Sequence, residues 1–205
     1  ITMFMSDMSL NENLSSTPQD RRELMDLVER MQSAFTTIAK SKVPTIALAH
    51  GFCIGGATSL VSACDIRLAT KDAKFSIGET KLGLVADVGV IQRMPKIVSS
   101  GDMNELALTG RVFDGEHAER IRFVSKVYEN SDELFEAGEK LANEISSNSK
   151  RIVQATKQAL EKSSNLTVDQ GLEYAKLWST SFLVSEDLRE GVMAFLEKRD
   201  PKFNE

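Results

Sequence analysis

The sequence predicts an α/β fold on three observations. A short run rich in Val, Ile and Ala, Val43 to Ala49, stands between helical stretches. A glycine pair, Gly55-Gly56, then opens a further helix, and helix alternates with strand up to about Ser100 before a mainly helical remainder. The 205 residues suit one large domain or a domain with an appendage, and neither an internal repeat nor a low-complexity linker divides them. On the resemblance drawn below, residues 1–125 are expected to form the α/β core and residues 126–205 the helical region.

Taken in order, Asn11 to Thr17 is polar and loop-like. Thr17 then caps a helix whose first position is Pro18, with Asp20 in the electropositive first turn. Leu24, Leu27, Val28, Met31, Phe35 and Ile38 recur at helical spacing and predict one buried stripe. Val43 to Ala49 reads as a strand, Gly55-Gly56-Ala57 as the start of a helix running through Ala63, and Asp65 to Thr70 and Phe75 to Ile77 as short strands. Val88 to Ile97 reads as helical despite Pro95. Helices are expected at Met103 to Leu108, Gly115 to Arg120, Asp132 to Ser146, Lys150 to Lys162, Val168 to Val184 and Leu188 to Lys198. Phe123 to Tyr128 is a strand between them.

Composition narrows the classes of function. With 25 basic and 30 acidic residues the net charge is -5, which gives no overall pull toward a phosphate backbone, and nucleic acid is not an expected partner. No stretch approaches the roughly 20 apolar residues that span a bilayer. Cys53 and Cys64 have neither metal-ligand nor CxxC spacing, which fits a reduced, intracellular protein with buried thiols; His50 and His117 are far apart in sequence. Metal catalysis has no positive support in the sequence. The chain starts at Ile1 and reads as an interior start, without a basic or sustained apolar leader before Leu10.

The chemistry concentrates between Val43 and Gln92. Glycines at 55 and 56 let the backbone turn sharply and let a ligand approach its N–H groups, and a helix starting there aims unpaired donors at the same point. An anionic oxygen would be stabilised there; a tight strand-to-helix turn without a ligand is the plainer alternative. Glu79 and Asp87 follow, eight residues apart, which on one helix would separate them by about 12 Å. Gly78, Gly83 and Gly89 favour a loop instead, and a folded loop brings both carboxylates to one apolar cavity lined by Leu82, Leu84 and Val85. Desolvation there raises a carboxylate toward useful acid-base values. The alternatives are a solvated loop charge at Glu79 and a helix cap at Asp87.

The segments HGFCIGGATSLVSACDIRLAT and FSIGETKLGLVADVGVIQRMPK resemble the enoyl-CoA hydratase/isomerase (crotonase) family, and within it the dienoyl-CoA isomerases. GVMAFLEKRDPKF is similar to the family's closing helix, so the resemblance covers nearly the whole chain. It implies a spiral core of ββα units followed by a helical trimerisation region, assembled as a homotrimer or a dimer of trimers. It also implies an acyl-CoA thioester substrate, with no metal and no cofactor beyond the CoA of that substrate.

On the same resemblance, the Gly56 N–H matches an oxyanion-hole donor, Glu79 the carboxylate near C2, and Asp87 the group near C6. Phe195 and Lys198 match residues that contact CoA across a subunit interface. The implied reaction is 3,5-dienoyl-CoA to 2,4-dienoyl-CoA isomerisation in unsaturated fatty-acid β-oxidation, in a mitochondrial or peroxisomal setting. Ser59 departs from the pattern, standing where the isomerases carry Asp and the hydratases Glu, which disfavours hydration. Ala57 replaces a common third Gly. The family's initial strands, with the other oxyanion donor and much of the CoA adenine site, have no counterpart before Ile1, so the resemblance makes residues 1–125 an N-terminally shortened spiral core, and ITMF resembles the sequence just after that donor loop. Two other readings stay open: a 3-enoyl-CoA to 2-enoyl-CoA isomerase, and a noncatalytic acyl-CoA-binding or assembly subunit.

Overall fold

The computed structural model describes residues 17–203; the expected loop before Thr17 and the ITMF segment lie outside the described residues. The chain divides into two compact units. The first holds residues 17–41 and 45–138 of the described chain, and the second residues 42–44 and 139–203.

The first unit opens with helix α1, Pro18–Ala39. Thr17 is its N-cap: the hydroxyl accepts from Asp20 N at 3.2 Å, and the Asp20 carboxylate accepts from Thr17 N at 3.0 Å, a reciprocal capping box. The predicted stripe on α1 is only half covered. No residue of the helix is fully buried and Leu24 is exposed, because α1 meets its unit chiefly along α2 and leaves the rest of that face open.

Strands β1 (Ile46–Ala49) and β2 (Phe52–Ile54) are separated by Gly51, whose positive φ of 64° turns the chain from one sheet to the other. Helix α2 (Gly56–Ala63) follows, then β3 (Ile66–Thr70) and β4 (Lys74–Ser76). Strands β1 to β4 thus alternate between two sheets. One sheet has the order β1-β3-β6, all parallel, with β6 at Lys126–Tyr128, Ile46 opposite Ile66 and Leu68 opposite Lys126. The other has the order β2-β4-β5, in which β2 and β4 are parallel and the two-residue β5, Phe113–Asp114, is antiparallel.

Between β4 and β5 the chain makes a 3-10 turn at Gly78–Leu82, a short helix α3 at Val90–Arg93, a second 3-10 turn at Met94–Lys96 and helix α4 at Ser100–Thr109. The expected helix from Val88 to Ile97 is therefore shorter: Gly89, at a φ of 118°, sits outside helical geometry, and Pro95 falls in the second 3-10 turn. Helix α5 (Gly115–Arg120) packs so closely on the β3-β4 corner that a side chain at Gly115 would strike the Thr70 carbonyl. The core centres on Phe75, Phe113 and Phe123. Phe75 stacks on Phe113 and meets Phe123 edge-on, both at 5.5 Å between centroids. Each such pair contributes ~0.5–1.5 kcal/mol beyond area burial.

Helix α6, Ser131–Ser146, runs from the first unit into the second. The second unit continues with α7 (Lys150–Ser163), α8 (Val168–Phe182) and α9 (Glu186–Glu197), capped by Ser149, Thr167 and Ser185. Lys157 is buried and donates its ammonium to the Val43 carbonyl at 3.1 Å. Beyond α9, Glu190 takes a bidentate pair from Arg199 at 2.6 and 3.0 Å and the Lys202 N–H at 2.7 Å, folding the tail back on its helix. Phe203 then lines an apolar groove of about 530 Å³ with Phe182, Leu183, Leu188, Val192 and Phe195.

Candidate active site

Gly55 is the N-cap of α2, with φ 60° and ψ -120°, a conformation that a side chain would strain. Its N–H donates to the Ser76 carbonyl at 2.9 Å, which fixes the end of β2 against the end of β4. The hydroxyl of Thr58, fully buried, lies between the carbonyls of Cys53 and Ser76 and joins the same two strands from inside the helix. Gly56 is the first residue of α2, and the opening amides of a helix have no intrahelical acceptor. The helix thus starts at a corner built by two strands.

Glu79 lies on the 3-10 turn that follows β4, one residue past Gly78. Its carboxylate packs against Gly55: a Cβ on that glycine would lie 3.2 Å from Glu79 Oε1. Glu79 Oε2 is buried without a hydrogen-bond partner in the protein. Burial pushes the Glu79 carboxyl above its ordinary value; a hydrogen bond to its own backbone opposes this, and the nearby Asp87 charge adds to it. A carboxylate with raised proton affinity beside a helix N-terminus has the means to take and return a proton next to a developing anion.

Gly83, at a φ of 73°, ends the 3-10 turn, and the chain runs on without regular structure to Asp87. Asp87 is exposed, and its carbonyl accepts from Gln32 Nε2 of α1 at 2.6 Å. It does not cap α3, whose N-cap is Gly89. The closed apolar cavity expected around the two carboxylates is not formed: Leu82, Leu84 and Val85 are exposed, Val85 at 78%, because the segment carrying them runs along the surface of its unit. Arg93 braces that segment, donating to the Val88 carbonyl at 3.3 Å and to Thr36 Oγ1 of α1 at 3.1 Å. Gln32, Thr36 and Arg93 were not among the candidate residues. Gln32 lies 55 positions from Asp87 and Thr36 lies 57 from Arg93, and nothing local in the sequence marks them.

Ser59, the expected departure, is fully buried on α2. Phe195 and Lys198 belong to the second unit. Phe195 is 82% exposed on the wall of the apolar groove instead of packed in a core, and Lys198 is the left-handed C-cap of α9. Cys53 is buried, Cys64 half-buried, and neither is in a disulfide. His50 packs edge-on to Phe135, and His117 Nδ1 lies 2.7 Å from the Arg120 guanidinium; neither is next to Glu79 in the contacts it makes.

The chain is 47% identical over 188 residues to a protein of Dictyostelium discoideum named Delta(3,5)-Delta(2,4)-dienoyl-CoA isomerase, mitochondrial, covering 92% of this chain and 64% of that protein. It is 42% identical to a peroxisomal protein of the same activity name from Arabidopsis thaliana, covering 94% and 68%. The crystal structure of an enoyl-CoA hydratase from Bacillus anthracis superposes with a TM-score of 0.84 at 27% identity, over 95% of this chain and 72% of that one. The chain thus spans less than two thirds of the length of the Dictyostelium relative. The family described as Enoyl-CoA hydratase/isomerase matches residues 3–205, and with the strand-corner glycines and the Glu79 turn in place, this chain belongs to it.

Proposed function

We propose that this chain belongs to an acyl-CoA isomerase that converts 3,5-dienoyl-CoA to 2,4-dienoyl-CoA in unsaturated fatty-acid breakdown. The observation that carries the reading is the Glu79 carboxylate, held against Gly55 beside the first amides of α2 and within electrostatic reach of Asp87. The dienoyl-CoA isomerase names of the relatives agree with it.

The Gly56 N–H donates to the thioester carbonyl oxygen, where charge develops as the C2 proton leaves. Glu79 takes that proton. The electron pair spreads along the diene, Asp87 delivers a proton at C6, and the double bonds move from positions 3 and 5 to positions 2 and 4. One proton is removed and one added, so no electrons are gained or lost and no cofactor is consumed. Ser59 leaves Glu79 without a second carboxylate on α2, which favours proton transfer over addition of water.

A second reading has its own support in the exposure of Asp87. Glu79 alone suffices to move a proton from C2 to C4, which makes a 3-enoyl-CoA to 2-enoyl-CoA isomerase. The full-length native protein, supplied with each substrate and followed by conjugated-product absorbance, separates the two. Asp87→Asn is expected to abolish most dienoyl turnover; equal loss or equal retention on both substrates refutes the assignment of C6 to Asp87. Acyl-CoA binding by calorimetry without any turnover would leave a binding subunit.

The exposed apolar side chains Leu172, Leu177, Leu183, Val184 and Leu196 of the second unit support self-assembly as a homotrimer or a dimer of trimers. In that assembly Phe195 and Lys198 contact CoA bound by a neighbouring subunit, and residues 126–205 serve as the trimerisation region. The relatives' names support a mitochondrial or peroxisomal location.

A further inference from the structure

Ser59 stands one turn beyond Gly55 on α2, and its N–H donates to the Gly55 carbonyl at 3.1 Å. It is fully buried, and its hydroxyl has no partner in the protein. The hydroxyls around it are spent: Thr58 on the carbonyls of Cys53 and Ser76, and Ser62 on the carbonyl of Ser59 itself at 2.7 Å. Leaving a buried hydroxyl unpartnered is a cost that alanine, with its better helix propensity, would not carry. Glu79 Oε2 is also buried and unpartnered, on the carboxylate that packs against Gly55. The one other such oxygen among the described residues, Thr70 Oγ1, is on β3, near the start of α5. Two buried polar atoms that each need a hydrogen bond thus lie on the two elements that meet at Gly55: the helix it caps and the turn whose carboxylate packs on it.

We propose that Ser59 is a positioning residue whose hydroxyl shares one buried water with Glu79 Oε2, holding the carboxylate in a single orientation and setting its proton affinity from the helix. The proposal rests on the reading of Glu79 as the proton-transfer base. A neutral donor on α2 stabilises the charged form of Glu79 against the burial that disfavours it, whereas a carboxylate in its place would add repulsion in the same direction as burial.

The test is a titration of Glu79 in the full-length protein by the infrared carboxyl band, assigned with Glu79→Gln, together with the pH dependence of isomerase turnover. Ser59→Ala is expected to move the Glu79 midpoint upward. It should also cut turnover about tenfold on the acid side, the size expected when a hydrogen bond to a charged group is lost. Ser59→Cys, a weaker donor of similar shape, falls between, and Ser59→Asp moves the midpoint further up than Ser59→Ala. A Ser59→Ala protein with native circular dichroism and an unmoved Glu79 midpoint overturns the proposal. A shifted midpoint in a protein that turns over no acyl-CoA supports the contact and removes the base role from Glu79, so the two claims fail separately.

Discussion

Glu79 and Gly55 meet where neither has a covalent or sequence-local reason to meet: the carboxylate occupies the space that any side chain at residue 55 would need, 3.2 Å from the position of its Cβ. The glycine therefore serves two ends, a left-handed backbone and room for the acid. Gly55→Ala is expected to lose ~1–3 kcal/mol of stability through backbone strain. It should also turn the Glu79 carboxylate away and lower kcat at least tenfold. Thermal melting and steady-state kinetics on the same preparation check both. A variant with wild-type kcat would show that the contact does not position the acid.

Glu79→Gln should remove general base catalysis, a loss of about 10²–10⁴-fold in turnover. Its effect on stability has the opposite sign. Because the folded state raises the Glu79 proton affinity, the stability that this group contributes is fully present below its unfolded-state pKa and is lost as pH rises through the folded one. Glutamine mimics the neutral form, so near neutral pH the variant is expected to be more stable, by no more than ~1 kcal/mol for a partly solvated group. The difference should vanish at acid pH. Melting curves across that range give the result, and a variant less stable at pH 7 contradicts the sign.

Gly89 and Arg93 form a second tight contact, in which a Cβ on the glycine would collide with the guanidinium. Gly89→Ala is expected to cost ~1–3 kcal/mol, combining positive-φ strain with displacement of Arg93 from Thr36 and Val88. Arg93→Ala in the same chain should recover the collision but not the strain. A double-mutant cycle by denaturant unfolding reads the coupling, and strict additivity would contradict the contact.

Glu190 tethers the chain beyond α9. The Arg199 guanidinium and the Lys202 N–H hold its carboxyl down to about 2. A carboxyl depressed in this way contributes stability above its ordinary value and loses it as pH falls toward about 2, so the tail should stay fixed through the mildly acid range. Glu190→Gln is expected to speed amide exchange of Arg199, Asp200, Lys202 and Phe203 severalfold while leaving the global melting temperature within about 2 °C. Unchanged exchange there would mean that Phe203 in its groove holds the tail without the ion pair.

The helical portion of the fold was largely legible because helices announce their ends. The Thr17-Pro18-Asp20 signal gave the start of α1, and apolar spacing gave α6 to α9 to within a few residues. Strands β2 and β5 were not legible: two or three residues are too few for an alternating pattern, and both exist through partners far along the chain. In the site, the glycine pair and the two carboxylates were recognisable as chemistry. The packing of Glu79 on Gly55 was not, nor was the openness around Leu82, Leu84 and Val85, because both depend on how the loop lies over its unit. The α1 stripe failed for a similar reason: periodicity reports which face is apolar, not how much of it is covered.

The Thr58 hydroxyl, wedged between the ends of β2 and β4, separates two jobs that a loop-built site would mix. The spacing between the α2 amides and the Glu79 turn is inherited from a buried strand corner and does not depend on the surface segment from Leu82 to Asp87. Its exposed residues Leu82, Leu84 and Val85 can then vary without moving the strand corner beneath them, whereas Asp87, whose charge reaches Glu79, cannot change without altering that carboxyl.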